Sequence, residues 1–305
     1  MSSLRQLYRI CKTYKPDIVF SSTVKANIYG GIVCKLLNIP IIINVSGLGT
    51  VFLYNHLHYK YIRIAYYVVC RFARHVFFEN DDDRCLFMKN RIMNNISSSI
   101  LPGSGVDIKR FTYSEPSIVG RQFTFLLVAR IIGDKGVREY VEAAAIVKKS
   151  GRDARFILLG SIGQNNNIGD SNISAIERTE LDLWQQAGIV EWFDHQDEIL
   201  SFYCNCDILV LPSYREGLPK TVLEAAAVGR PALVTDVPGC RQSVLAGQTG
   251  WLCKPRDAHD LARVMMDCYD MPYDQLKSIG LAARRRVVEE FSEQRVIDAY
   301  LKFVS

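Results

Sequence analysis

Short apolar runs alternate along this chain with stretches of helical length, and that alternation restricts it to parallel sheets covered on both faces. Runs at 17–21, 40–45, 75–79 and 98–101 read as strands, with helical stretches through Leu37, over 55–73 and over 81–93 between them. A strand buried on both faces appears as a continuous apolar run, whereas a half-solvated strand alternates. After Pro102-Gly103-Ser104-Gly105 the pattern restarts, with strands expected at 123–129, 155–160, 189–193, 207–212 and 231–235. Helices near 136–149, 174–187, 197–204 and 219–228 separate them, and five strands with four crossovers make a doubly wound half on their own. Closing helices are expected at 257–270, 273–290 and 292–303, a linker around 102–122, and one long polar loop at 165–171. The expected domains are 1–110, 111–290 and a C-terminal helix, 291–305, that packs back on the first. That first half begins in mid-pattern with a helix, so a first strand and its loop are expected to be missing.

Composition narrows the class. With 305 residues, 49% hydrophobic and 23% charged, the chain is too apolar for disorder. No apolar run reaches the length of a spanning helix, and the start lacks the apolar stretch of a secretory leader. Nine scattered Cys suit reduced thiols in the cytoplasm better than a disulfide framework. Charge is unevenly spread: residues 1–110 hold 15 Lys/Arg against 6 Asp/Glu, and the rest hold 22 against 26. Up to residue 78 the one acid is Asp17.

Two strand ends carry the chemistry. After the run ending at Leu211, a polar turn leads through Glu216, Gly217 and Leu218 to Pro219, Lys220 and Thr221, with Glu224 on the following helix. Pro219 suits a first helical turn, and the amides near Gly217–Lys220 would form an anion site to which Lys220 adds charge. Carboxylates beside an anion site suit a ligand with both phosphates and hydroxyls. Arg130, Lys135 and Gly136 follow another strand, where open α/β sheets bind ligands, and two cations there could stabilise a departing diphosphate.

The run from Asp207 to Gly239 resembles glycosyltransferase family 4: a strand, Glu216-Gly217-x-Pro219, Glu224 eight residues on, Gly229-Arg230-Pro231, then Thr235-Asp236-Val237-Pro238-Gly239. Ser104-Gly105-Val106-Asp107 with Phe111, and Arg130 with Lys135-Gly136, match further stations of that family in order. The resemblance implies α/β architecture of the GT-B type, two Rossmann-like doubly wound parallel-sheet domains with the active site between them. It implies a nucleotide-sugar donor, retention of anomeric configuration, and no cofactor or required metal. By position, Arg130 and Lys135 correspond to cations that neutralise the donor diphosphate, Glu224 to the ribose-binding residue and Glu216 to the acid beside the donor sugar. Gly217 and Leu218 correspond to amide donors there, and Ser46-Gly47-Leu48-Gly49 resembles the acceptor-side loop. The glycine-rich loop near the family's usual N-terminus has no counterpart, and Ser21 or Ser22 stands where a His is often found. The style of the motifs is similar to bacterial members that build lipid-linked surface polysaccharides, often from UDP-sugars. A non-catalytic nucleotide-sugar-binding remnant and a nucleotide-sugar epimerase are the alternatives.

Other motifs point to structure. Asp81-Asp82-Asp83 has metal-site spacing, but a strand end leading into a helix favours an Asp as N-cap. His56 and His58 are two apart, Cys204-x-Cys206 lacks the zinc or redox spacing, and Gly47-x-Gly49 lacks the third glycine of a dinucleotide fingerprint. His195, at the end of a strand, reads as a solvated or capping residue. Residues 51–78 combine Lys60, Arg63, Arg71 and Arg74 with many aromatics, which suits the inner face of an anionic cytoplasmic membrane. Nucleic acid is not expected, because no base-reading module accompanies the charge.

Overall fold

The computed structural model describes residues 2–48, 57–93, 96–116, 120–162 and 175–304. The chain divides into two compact units. One comprises Met1–Ser104, Glu216–Leu218 and Gln294–Ser305, and the other Gly105–Arg215 and Pro219–Glu293.

The first unit runs α1 (Ser2–Tyr14), β1 (Val19–Ser22), α2 (Val24–Leu37), β2 (Ile41–Val45), α3 (Leu57–Cys70), β3 (His75–Phe78), α4 (Asp81–Lys89) and β4 (Ser98–Ile100). Its four strands are parallel in the order β1-β2-β3-β4, with Val19 opposite Ile41, Ile42 opposite His75 and Val76 opposite Ser98. Every residue of β2 and β3 is buried, as their largely apolar runs require, and the polar Asn44 and His75 are buried with them. The two-residue period of the strand sends Ile41, Ile43 and Val45 into a core with Tyr66, Val69 and Phe87, and Ile42 with Phe77 into a second core on the other face. Asn80, extended at φ −148°, caps α4 by accepting from the Asp83 N–H at 2.8 Å. The cap expected of the Asp triplet is therefore Asn80, and Asp81–Asp83 form the first turn, where negative charge suits the helix dipole.

The second unit holds β5 (Phe123–Val128), α5 (Val137–Lys149), β6 (Ala154–Leu159), α6 (Arg178–Gln186), β7 (Glu191–Phe193), α7 (Leu200–Cys204), β8 (Ile208–Leu211), α8 (Lys220–Val228), β9 (Ala232–Thr235), α9 (Cys240–Ser243), β10 (Gly250–Cys253), α10 (Ala258–Tyr269) and α11 (Tyr273–Glu290). All pairings are parallel, in the order β10-β9-β8-β5-β6-β7. Five strands were expected and six form. The sixth, β10, has four residues with Trp251 and Leu252 only half-buried, too short a run to register as a period. The expected polar loop at 165–171 lies outside the described residues. The stretch after Gly105 is tied down: Val106 N donates to Phe291 O at 2.9 Å, Glu293 N donates to Val106 O at 3.1 Å, and Phe111 is buried.

The last helix, α12 (Glu293–Leu301), covers the second core of the first unit. Tyr300 meets Phe20 and Phe77 edge-on, both at 5.1 Å between ring centres.

Arg230 shows how the second unit is fastened. Its guanidinium is 1% exposed and donates to the carbonyls of Cys206 (2.9 Å), Cys204 (2.7 Å) and Ser114 (2.8 Å). Removing it leaves buried carbonyls without donors. Arg230→Ala should cost about 3 kcal/mol in urea unfolding, and Arg230→Lys should recover only part, because an ammonium cannot reproduce the planar fork.

Candidate functional site

In the second unit the chain leaves β5 toward β6 on one side and returns with β8 on the other. Ligands of open α/β sheets bind at such a reversal, outside the carboxyl ends of the strands. Arg130 lies two residues beyond β5 and is exposed, and Lys135 closes a 3-10 turn at Gly133–Lys135. Gly136 follows at φ 71°, where a Cβ would sit 2.1 Å from Pro212 O. Only glycine lets the β5 loop approach the β8 loop this closely. The approach is fixed by the Tyr214 N–H donating to Asp134 O (2.9 Å) and by the Tyr214 hydroxyl donating to Glu139 Oε1 (2.5 Å). The Thr235 hydroxyl donates to Ser213 O, and Arg256 stacks 4.4 Å over the Tyr214 ring.

Pro219 caps α8, and its carbonyl accepts from Val222 N (3.1 Å) and Leu223 N (3.4 Å). It thus sits one position before the first helical turn expected for it. Lys220 and Thr221 then contribute N–H groups that have no acceptor within the helix, next to the exposed Lys220 ammonium. One turn on, Glu224 is 9% exposed. The Tyr203 hydroxyl donates to its Oε2 at 2.9 Å, and Lys220 Nζ stands 3.9 Å from Oε1. Burial raises the Glu224 carboxyl above its ordinary range, while Tyr203, Lys220 and Arg110 pull it back. Tyr203 is in turn set edge-on against Phe111, 6.0 Å between ring centres. Arg130, Lys135 and Gly136 therefore follow β5, and Pro219, Lys220, Thr221 and Glu224 open the helix that follows its neighbour β8.

The other expected residues group with the first unit. Glu216, Gly217 and Leu218 pack against the loop after β2: a Cβ on Gly217 would lie 2.2 Å from Ser46 O, and one on Gly47 (φ 111°) 2.9 Å from Gly217 Cα. Ser46 and Gly47 are half-buried, Leu48 is buried in the core of that unit, and Gly49 lies outside the described residues.

Two residues here carried no signal in the sequence. Asn80, besides capping α4, donates from Nδ2 to Gly217 O at 2.8 Å. Glu79, immediately after β3, is 7% exposed, and its Oε2 accepts from the Leu218 N–H at 3.2 Å. Burial pushes its carboxyl up to about 7, helped by Asp83 and Glu216 and opposed by the Leu218 N–H and the Asn44 side chain. A Phe-Phe-Glu-Asn strand end looks like an ordinary exit to a capped helix, so nothing in it marks the acid. His195, by contrast, is solvated, 3.5 Å from Asp197.

The family model described as glycosyl transferases group 1 matches residues 110–286, and one described as glycosyl transferase 4-like matches residues 1–80. The chain belongs to the glycosyl transferases group 1 family. Over 272 residues it is 27% identical to an N,N'-diacetylbacillosaminyl-diphospho-undecaprenol alpha-1,3-N-acetylgalactosaminyltransferase of Campylobacter jejuni, covering 84% of this chain and 68% of that protein. It is 25% identical to a UDP-Gal:alpha-D-GlcNAc-diphosphoundecaprenol alpha-1,3-galactosyltransferase of Escherichia coli, covering 98% and 77%. Among solved structures, Anabaena HepE in complex with UDP-glucose superposes with a TM-score of 0.82 at 17% identity, covering 99% of this chain and 81% of that one. Sucrose-phosphate synthase from Thermosynechococcus elongatus gives 0.80 at 16% identity, covering 99% and 77%. The fold is GT-B in class, with two Rossmann-like parallel sheets of four and six strands.

Glu79 has a consequence for stability. Its folded carboxyl titrates near 7 against an ordinary 4.5, so the folded chain holds a proton that the unfolded chain has already lost. Stability therefore falls as pH rises from about 4.5 to about 7 and is level above that, a loss on the order of 3 kcal/mol at 1.36 kcal/mol per unit. Glu79→Gln abolishes the titration. Denaturation at pH 5 and pH 8 should show the variant gaining that amount on wild type at the higher pH; a constant gap would contradict the assignment.

Proposed function

We propose that the chain is a retaining transferase that moves a hexosyl or N-acetylhexosaminyl group from a UDP-sugar to a saccharide carried on a polyprenyl diphosphate, in surface polysaccharide synthesis. The observation that carries this reading is the close approach of the loop bearing Lys135 to the loop leaving β8, with a buried carboxylate one turn along α8. In this reading Glu224 accepts from the ribose hydroxyls. Arg130, Lys135, Lys220 and the first amides of α8 stabilise the departing diphosphate, so charge is neutralised by the protein itself. Glu216 orients the donor sugar, Gly217 and Leu218 bound its site, and the acceptor hydroxyl, beside Ser46 and Gly47, attacks from the face the diphosphate leaves. The names of the Campylobacter and Escherichia relatives support the lipid-linked acceptor, and UDP in the second name and in the Anabaena complex supports the donor.

Attachment to the inner face of the cytoplasmic membrane fits the same reading. Among the described residues no helix is long and apolar enough to cross a membrane. The exposed face of α3 presents Lys60, Tyr61, Ile64, Tyr67 and Val68, with Arg71 just beyond its end, apolar and basic side chains one turn apart. Such a face can bury rings and aliphatic stems at headgroup level while Lys and Arg meet anionic lipid.

Lys135→Ala and Glu216→Ala should each lower transfer from a panel of UDP-sugars to a polyprenyl-diphosphate acceptor by about a hundredfold or more. Near wild-type rates in both would overturn the site. UDP-sugar binding without transfer would identify a non-catalytic binder, and product formed without acceptor would identify an epimerase. For the membrane, Ile64→Ser with Arg71→Glu should reduce co-sedimentation with phosphatidylglycerol vesicles about tenfold. Equal binding of wild type to phosphatidylcholine vesicles would remove the electrostatic part of the reading.

A further inference from the structure

Glu79 is a buried acid that the transfer mechanism does not use, yet it is built against the segment that mechanism needs most. Glu216–Leu218 is held on one side by backbone packed on Ser46 and Gly47, with no room for a Cβ at Gly217. On the other side Glu79 Oε2 accepts from the Leu218 N–H, and Asn80 donates to Gly217 O. That same Glu79 oxygen would lie 2.6 Å from a Cβ on Gly217, so the carboxylate fills the space glycine leaves. We propose that Glu79 is a positioning residue: its ionised carboxylate fixes the Glu216–Leu218 segment in the arrangement that receives the donor sugar, and its protonation loosens that segment.

The groups around Glu79 give the inference its direction. Its hydrogen-bond donors are the Leu218 N–H and the Asn44 side chain on β2, and the titratable groups facing it are Asp83 on α4, Glu216 on the segment itself and Tyr300 on α12. Two of these are acids and the third a phenol, so the surroundings favour the protonated form, which burial raises to about 7. An ionised carboxylate is roughly twice as strong an acceptor for a backbone N–H as a neutral one. Ionisation costs the folded chain overall, because burial and the neighbouring acids outweigh the hydrogen bonds, but within the folded state it strengthens the Leu218 contact, which should tighten as pH rises through neutrality, and with it the placing of Glu216.

This inference rests on the donor reading above, and two measurements keep the two separable. Hydrogen exchange, corrected for its intrinsic pH dependence, reads the segment without any donor. Protection of a peptide covering 214–220 should fall about tenfold from pH 8 to pH 6 in wild type and stay constant in Glu79→Gln, whose amide oxygen still accepts but does not titrate. Calorimetry with UDP, UDP-galactose and UDP-N-acetylglucosamine reads the donor. Sugar-nucleotide affinity should weaken about tenfold from pH 8 to pH 6 in wild type, be pH-independent in Glu79→Gln and be weak throughout in Glu79→Ala. UDP affinity, which reports the second unit and confirms that each variant is folded, should stay within about twofold across the three proteins. Exchange that ignores pH, or a Glu79→Gln protein that keeps the wild-type pH dependence, overturns the inference. If the exchange behaves as expected and no sugar nucleotide binds, the donor reading fails and the hold of Glu79 on the segment stands.

Discussion

The second unit depends on one close contact, the Gly136 backbone against Pro212 O. A parallel sheet places the loops of neighbouring strands side by side at its carboxyl edge, but usually with side chains between them. Here the left-handed φ of 71° and the missing Cβ let two backbones touch. Once they touch, the Asp134 carbonyl can accept from Tyr214, and the loop that bears Lys135 is tied to the loop leaving β8. In the proposed site a cation from one crossover and helix amides from another would serve a single anion, with the reorganisation already made during folding.

Such sites cost stability, and the two buried carboxylates show where. Glu224 is compensated: a phenol donates to one oxygen and an ammonium stands near the other. Among the described residues Glu79 is compensated by the amides of Leu218 and Asn44 and sits among other acids. By burial alone a Gln would serve the fold better. The acid is accounted for if a charge is wanted against Leu218, and that is an argument about what the segment must do when a ligand arrives.

Much of this was legible in the residues, and the reason differs by element. Strands such as Ile41–Val45 and His75–Phe78 are buried on both faces and announce themselves as apolar runs. The longer helices of the second unit were readable to within a few residues, because 3.6-residue periodicity persists over α5, α10 and α11, whereas the four-residue α9 was not expected. The strand Gly250–Cys253 was not, since four residues at a sheet edge with two half-buried side chains carry almost no period. Among the candidate site residues, Arg130, Lys135, Lys220 and Glu224 stood out because charge just beyond a strand, or on the helix that follows it, departs from an apolar context. Leu48 was visible as part of a loop motif, although its side chain belongs to the core.

The first unit hid its polar site for a related reason. Ser21 and Asn44 stand near the carboxyl ends of β1 and β2, where a single polar residue reads as the strand stopping. In space the parallel register lines these ends up: Ser22 is opposite Asn44, and Val45 is opposite Phe78, the residue before Glu79. Asn27 then joins them, accepting from the Ser21 hydroxyl at 2.8 Å and donating to Asn44 O at 2.8 Å, while the Asn44 side chain serves Glu79. Each of these groups is buried and would be costly alone, so each requires the next. A network of this kind follows from strand order and register, which bring positions 21, 44 and 79 together. Local pattern describes each residue accurately as a strand terminus, and the network they share exists only across the sheet.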